Sequence, residues 1–354
     1  MTQTVGAALD RANNGDPSAQ LALSRYFFER NDLPSARLWA GRAADAGWTD
    51  ALLPAAQLEL VALAQGGRLA AAERRALAAV TAQVAQACPV LAMIRILRAP
   101  EVDSGLVQAV DLLRDQVRSS ALVQELKTIG EFRGGLRTPK PHRLAAGVVQ
   151  VGAQGGFLPD SVLLWLDDLS RPLLRPAQVI DPQTGQRTLH PIRRGEQAVL
   201  DWQRLDPVAA VVLRLVAEAA GRDWRCCEPI NLLRYPVGGE YRLHHDCFEH
   251  DPLIRASRSG ARALNQRATT ALLYLNEDLA GGATTFPALG IEVPPRRSRL
   301  LVFENLRDGQ PDPAMRHAGM PVLSGEKRVL SFWFREHALV DLPHAIETHP
   351  EADR

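Results

Sequence analysis

The hydrophobic period changes once along this chain, between about residues 128 and 142, and that change limits the possible folds more than any other feature. Upstream, Ala and Leu recur at helical spacing. "SARLWAGRAADAG" from Ser35 and "AAAERRALAAVTAQVAQA" from Ala70 each gather their apolar residues on one side. Downstream, a strand-like "AGVVQVG" and two helical stretches, "LPDSVLLWLDDLSRPL" and "PVAAVVLRLVAEAAG", lead into a β-rich remainder. Its segments are "EPINLLRYPVGGEYRLHHD", "TTALLYLNED", "RLLVFENL" and "RVLSFWFRE", parted by Gly, Pro, Asn and Asp. Short strands at this spacing predict an antiparallel sandwich or jelly roll with helices on one side, an α+β fold behind an all-α region. The junction, "TIGEFRGGLRTPKPH", has no periodicity and reads as a linker. The expected division is a helical domain over 1–127, a linker over 128–142 and a second domain over 143–354. Asp160 or Ser161 is the expected cap of the helix that follows.

Within the helical region, "GDPSAQLAL" at Gly15 is echoed by "GWTDALLPAAQL" at Gly47, 32 positions later. A glycine ends one helix and a polar residue opens the next, at close to the period of tetratricopeptide-like hairpins. Such an array offers a surface for a protein partner, or serves only to brace the second domain.

At 354 residues the chain exceeds one compact core. With 41 basic against 40 acidic residues, its net charge of +1 gives no bulk attraction to nucleic acid or anionic lipid. No apolar run reaches membrane-spanning length, and "MTQTVGAALDRANNGDPSAQ" lacks the basic start and apolar centre of a signal peptide. Cys88, Cys226, Cys227 and Cys247 form no C-x-x-C pair, and adjacent Cys226 and Cys227 make a poor disulfide framework. A cytoplasmic location fits this usage best.

The stretch "YRLHHDCF" is the chemically densest in the chain. Along a strand, His244 and Asp246 project to one side and His245 to the other. His-x-Asp offers an imidazole and a carboxylate to one point, and His317, in "MRHAGMPVLSGEKRVLSFWF", is a candidate third ligand. Two histidines and a carboxylate on one face of a metal are the ligand set of non-haem Fe(II) oxygenases. By itself His-x-Asp is a weak signal among nine histidines. Lys327 strengthens it, because an inward-pointing ammonium needs an anion such as a bound dicarboxylate. A lysine in a surface turn after Gly325 is the plain alternative.

From about residue 153 to 336, the chain resembles the prolyl 4-hydroxylase branch of the Fe(II)- and 2-oxoglutarate-dependent dioxygenases. The blocks "GGFLPDSV", "LRYPVGGEYRLHHDCF", "QRATTALLYLNEDLAGGATTFP", "VPPRRSRLLVFENL" and "RHAGMPVLSGEKRVLSFWF" stand in the family's order. The resemblance implies a double-stranded β-helix, with His244, Asp246 and His317 as iron ligands. It matches Lys327, Thr284 and Tyr235 to the 2-oxoglutarate site, and Tyr241 and Arg267 to the substrate pocket. The implied cofactors are Fe(II), 2-oxoglutarate and O2, with ascorbate a candidate reductant. The implied reaction hydroxylates a C–H bond, foremost a prolyl residue of a peptide or protein, with release of succinate and CO2. Free amino acids or other small or peptide substrates, desaturation, ring closure and a catalytically silent binding module are the alternatives. A nucleic-acid demethylase fits the neutral charge poorly. Plain readings accompany the residues of the pocket: Thr284 as an ordinary strand residue, Arg267 as a solvated edge charge, Tyr235 and Tyr274 as half-buried strand tyrosines, and Trp333 as core or pocket wall. For Tyr274 the plain reading is preferred.

The chain departs from the family pattern at Arg328, where a tryptophan often follows the lysine, and at "RRSR", where a Gly-Asp turn is usual. The segment "EHDPLIRASRSGARALNQ", with Arg255, Arg258 and Arg262, corresponds to a loop over the active site in relatives. Its charge would favour an acidic or carboxylate-bearing substrate, or is simply solvated.

Overall fold

The computed structural model describes residues 2–63, 67–84, 86–114, 120–135, 141–152, 156–180, 187–188, 192–202, 204–248 and 265–340. The basic segment with Arg255, Arg258 and Arg262 lies outside the described residues. Contacts divide the chain into a unit from Met1 to Arg95 and a unit from Ile96 to Ala338. Among the described residues no helix is long and apolar enough to cross a membrane.

The first unit is helical: α1 (Thr2–Asn13), α2 (Pro17–Phe28), α3 (Leu33–Asp45), α4 (Thr49–Val61), α5 (Leu69–Thr81) and the start of α6 (Ala87–Arg98). The 32-residue echo has a backbone counterpart. Gly15 (φ 88°) and Gly47 (φ 81°) both take the left-handed conformation just past a helix. In each case the amide of the following residue, Asp16 or Trp48, reaches back to the carbonyl of Arg11 or Ala43. The openings of the next helices differ: the Asp16 carboxylate accepts from the amides of Ser18 and Ala19, whereas Trp48 caps α4 without a side-chain bond. Small residues such as Ala36, Ala40, Ala43, Ala51 and Ala55 let the helices approach closely in one core.

The second unit adds α7 (Val102–Leu113), α8 (Ser120–Gly135), α9 (Asp160–Ser170) and α10 (Pro207–Ala219). Helices α7 and α8 both pack on α10. The linker expected from residue 128 thus begins inside α8. Val123, Leu126 and Ile129 keep its apolar face buried, and Gly130 and Gly134 sit where the helix faces open space. At α9 the cap is Pro159 rather than Asp160 or Ser161. Asp160 instead pairs with Arg297 at 2.8 Å, and the Ser161 hydroxyl donates to Glu125 at 2.8 Å.

The strands of the two large sheets are β1 (His142–Ala145), β2 (Val148–Val151), β3 (Arg175–Pro176), β4 (Arg193–Arg194), β5 (Glu196–Leu200), β6 (Ile230–Tyr235), β7 (Glu240–His244), β8 (Arg267–Tyr274), β9 (Thr284–Phe286), β10 (Ile291–Val293), β11 (Leu300–Glu304), β12 (His317–Gly319) and β13 (Lys327–Arg335). The major sheet runs β1-β2-β11-β8-β13-β6-β5-β3 and the minor sheet β10-β9-β12-β7-β4, every pair antiparallel. Four central strands of the major sheet (β6, β8, β11, β13) face four of the minor (β7, β9, β10, β12), which is the jelly-roll arrangement. Period-2 alternation sends Leu233, Tyr235, Leu272, Tyr274, Leu301, Phe303 and Val329 inward from the major sheet, against Phe286 and Val293 of the minor. The unusual "RRSR" turn is accommodated by Ser298, which takes φ 59° without being glycine. Its hydroxyl donates to the Leu158 carbonyl and accepts from the amides of Phe157 and Leu158, so side-chain bonds hold the strained turn.

Candidate active site

Strands β7 and β12 bring the two histidines together, because His244 and His317 are direct cross-strand partners. Asp246 follows the end of β7 and is drawn in by Thr270 of β8, whose hydroxyl donates to Oδ2 at 2.6 Å. The donor atoms of His244, Asp246 and His317 all lie within 4.8 Å of one another. Nδ1 of His244 lies 2.8 Å from the Arg242 carbonyl, and Nδ1 of His317 lies 3.0 Å from that of Met315. A carbonyl only accepts, so each Nδ1 carries the proton and each Nε2 lone pair is left for a metal. The Nε2 atoms stand 3.7 Å and 3.8 Å from the Asp246 carboxylate.

The electrostatics suit a cation. Burial, and then the neighbouring His317, pushes His244 down to about 3, and burial likewise lowers His317, so both rings are neutral. Burial alone would raise the Asp246 carboxyl, but His317, His244, Arg267 and the Thr270 hydroxyl together hold it well below the ordinary range. Two neutral imidazoles and an ionised carboxylate, converging in a buried pocket, are a donor set that fits Fe(II).

His245, by contrast, turns away: its Nδ1 accepts from the Cys247 amide and its Nε2 faces the Asp312 carbonyl at 3.0 Å.

Lys327 opens β13 on its inward face, opposite Tyr235 of β6. Only 4% exposed, it has no carboxylate partner among the described residues. Its Nζ donates to Thr284 Oγ1 at 3.4 Å, which also accepts from the Tyr274 hydroxyl at 2.8 Å. The Tyr274 and Tyr235 rings lie 5.4 Å and 5.9 Å from Nζ. Burial lowers the ammonium to about 7. A side chain on Gly319 would project into this space, its Cβ 3.8 Å from Tyr241 Cβ and 3.9 Å from Lys327 Nζ. A buried ammonium, two hydroxyls and an open glycine form a seat for a small anion.

Tyr241 stacks on His244, ring centroids 3.5 Å apart and 15° between planes, and burial pushes its hydroxyl up to about 12. Arg267 is no solvated edge charge. Its Nε and Nη2 donate to the two carboxylate oxygens of Glu228 at 2.7 and 2.8 Å, and its guanidinium lies 4.0 Å over the Trp333 ring. Arg335 shares the same Glu228.

Four residues of this constellation do not stand out in the sequence. Tyr274 is fully buried against Thr284 rather than half-buried. Thr270 and Asn305 form a relay in which the Asn305 amide donates to Thr270 Oγ1 at 2.9 Å and Thr270 donates to Asp246. Glu228 holds Arg267. The only local signal for Thr270 is its place in "QRATT", three residues from Arg267.

A profile of the 2OG-Fe(II) oxygenase superfamily matches residues 230–335, from the first residue of β6 to the last of β13. Prolyl 4-hydroxylase 1 of Arabidopsis thaliana is 30% identical over 197 residues, covering 51% of this chain and 67% of that protein. The chain belongs to the 2OG-Fe(II) oxygenase superfamily, in its prolyl 4-hydroxylase-like branch. Prolyl 4-hydroxylase subunit alpha-1 of Rattus norvegicus is 33% identical over 181 residues, covering 51% of this chain. The oxygenase chain spans about a third of the length of that relative, 33%. The crystal structure of the viral collagen prolyl hydroxylase vCPH from Paramecium Bursaria Chlorella virus-1 aligns with a TM-score of 0.41 at 23% identity, covering 53% of this oxygenase and 96% of that chain.

Proposed function

We propose that this protein is a 2-oxoglutarate-dependent hydroxylase in which His244, Asp246 and His317 hold Fe(II). The observation that carries the reading is the pairing of a largely buried His-Asp-His cluster with a buried Lys327 that meets no acid among the described residues, in one jelly-roll interior. Iron and 2-oxoglutarate, when bound, would supply the oxidising power with O2, one oxygen atom going into succinate as CO2 is lost from the keto acid and the other into a substrate C–H bond.

The chain's own residues bind, orient and shield. Lys327 would take the far carboxylate of 2-oxoglutarate, with the Thr284 hydroxyl and the Tyr235 ring completing the pocket. Tyr274 fixes the Thr284 hydroxyl by donating to it, which keeps a Thr284 proton available for the carboxylate. Tyr241 covers His244 and remains protonated, so its hydroxyl serves as a hydrogen-bond donor towards the substrate. Arg267, fixed by Glu228 and Trp333, lends positive charge beside Asp246 and borders the substrate side. Buried aromatic walls, Phe286 and Phe303 against His317, limit water around the metal.

The substrate reading is a prolyl residue in a peptide or protein, supported by the resemblance to the prolyl 4-hydroxylases of Arabidopsis thaliana and Rattus norvegicus. The helical unit is assigned a tetratricopeptide-like array that receives a protein partner, resting on the repeated glycine ends at Gly15 and Gly47. Incubation of the purified chain with Fe(II), 2-oxoglutarate, ascorbate and proline-containing peptides, followed by mass-spectrometric location of added oxygen, tests the activity. Oxygen on proline, matched by succinate formed and lost in His317→Ala, is the expected result. Succinate formed without oxygen on any proline overturns the prolyl assignment but leaves the oxygenase chemistry.

A further inference from the structure

Arg193 is another buried cation with no acid beside it among the described residues. It sits in β4, and its cross-strand partner is Tyr241 in β7. Tyr241 is in turn partnered by Gly319 in β12, towards which Lys327 Nζ points. Cross-strand partners project from one face of a sheet, so Arg193, Tyr241 and Gly319 form one row on the inner face of the minor sheet. The Arg193 guanidinium carbon lies 5.0 Å over the Tyr241 ring, which stacks on His244.

Arg193 is 8% exposed. Nη1 makes one long hydrogen bond, 3.4 Å to the Gln178 carbonyl. Nε and Nη2 are buried and meet no acceptor among the described residues. An arginine stays charged at all ordinary pH, so it cannot relieve its burial by losing a proton as a lysine can. Elsewhere in the same unit the chain supplies acids to such groups: Arg267 and Arg335 meet Glu228, and Arg328 meets Asp167. Arg267 grips the Glu228 carboxylate with Nε and Nη2, the two nitrogens that form a side-on fork. Those are the same two nitrogens that Arg193 leaves unused.

The geometry points to Arg193 as the seat of a carboxylate on the primary substrate, held beside Tyr241 with its reacting carbon turned towards the His-Asp-His cluster. This rests on the proposed function in one respect: Lys327 is taken as the seat of 2-oxoglutarate, which leaves Arg193 for another anion. A carboxylate reaches this position from one of two sources, the free α-carboxylate of an amino acid or C-terminal residue, or an acidic side chain next to the target in a peptide. Both present the same planar pair of oxygens to the fork.

The test is equilibrium binding by calorimetry to the full chain under anaerobic conditions, with Fe(II) and 2-oxoglutarate present. One pair of probes is N-acetyl-L-proline and its amide. The other is a blocked proline peptide with Glu beside the proline and the same peptide with Gln. In the wild type, the carboxylate member of at least one pair binds about tenfold tighter than its neutral partner, and that pair identifies the source. In Arg193→Gln the preference falls to within about twofold, and Arg193→Lys keeps part of it through charge without the fork. The affinity for 2-oxoglutarate and the melting temperature stay at wild-type values in Arg193→Lys.

Equal affinity within both pairs, including no measurable binding of either carboxylate, overturns the assignment. So does a preference that survives in Arg193→Gln, or a loss of 2-oxoglutarate affinity in Arg193→Lys. Failure of the proposed function is separately visible: the visible absorption of an Fe(II)–2-oxoglutarate complex is then missing from the wild type, while probe binding is still read calorimetrically.

Discussion

If Lys327 seats 2-oxoglutarate as proposed, it is the residue on which cosubstrate binding and pH meet. Burial lowers its ammonium to about 7 in the ligand-free chain, whereas a bound carboxylate favours the charged form. Binding 2-oxoglutarate above that pH therefore requires proton uptake. The dissociation constant is expected to be flat below about pH 7 and to rise roughly tenfold per unit above it, which calorimetry in buffers of different ionisation enthalpy reads directly. Lys327→Met removes the pH dependence and weakens 2-oxoglutarate by about 2 kcal/mol, roughly 30-fold. The same change raises the melting temperature of the ligand-free protein. The folded state depresses the lysine below its ordinary range, so its cost to stability is present below pH 10.5 and grows as pH falls towards about 7. A second residue-scale expectation concerns Thr270, whose hydroxyl fixes one oxygen of Asp246. Thr270→Val keeps the shape of the side chain but frees the carboxylate, and is expected to weaken Fe(II) or Mn(II) affinity by about tenfold. Unchanged metal affinity in a folded Thr270→Val protein would show that the bond does not orient the ligand.

At the scale of elements, α10 shows how a buried helix start is held. Asp206 accepts from the Ala209 amide at 2.8 Å and from Trp165 Nε1 of α9 at 2.6 Å. Asp206→Ala removes the cap and orphans the indole N–H, with an expected loss of about 1–2 kcal/mol in denaturant unfolding; a change below a few tenths would mean water replaces both bonds. The existence of the helices and strands was legible because hydrophobic period is a local property: "PVAAVVLRLVAEAAG" and "RVLSFWFRE" each specify their element without help. Element ends were less so. The caps at Pro159 and Trp48 use no polar side chain, and α8 runs through Gly130 and Gly134 because its opposite face is buried. Ser298 in a left-handed turn is invisible locally, since its conformation is held by Phe157 and Leu158, far away in sequence. For the same reason His244, Asp246, His317 and Lys327 could be named from spacing and motif. Thr270, Asn305, Tyr274 and Glu228 take their places only through the pairing and packing of segments distant in sequence.

For the whole molecule, the order of the strands is what makes a site. Successive strands from β6 to β13 are dealt between two sheets, so residues from β7 and β12 meet across one sheet while Lys327 and Tyr274 face them from the other. A net charge of +1 gives the molecule as a whole no long-range steering field, so the rate of substrate encounter is expected to vary little between about 50 and 200 mM salt. In the proposed function, one jelly-roll interior holds iron and 2-oxoglutarate together. Anaerobic titration of the apoprotein with Fe(II) and then 2-oxoglutarate, followed by visible absorption, tests it most directly. The expected result is a metal-to-ligand charge-transfer band that His244→Ala abolishes and that Lys327→Met shifts to higher 2-oxoglutarate concentration. Absence of the band in folded, iron-loaded wild type, or its persistence unchanged in both variants, would contradict the site.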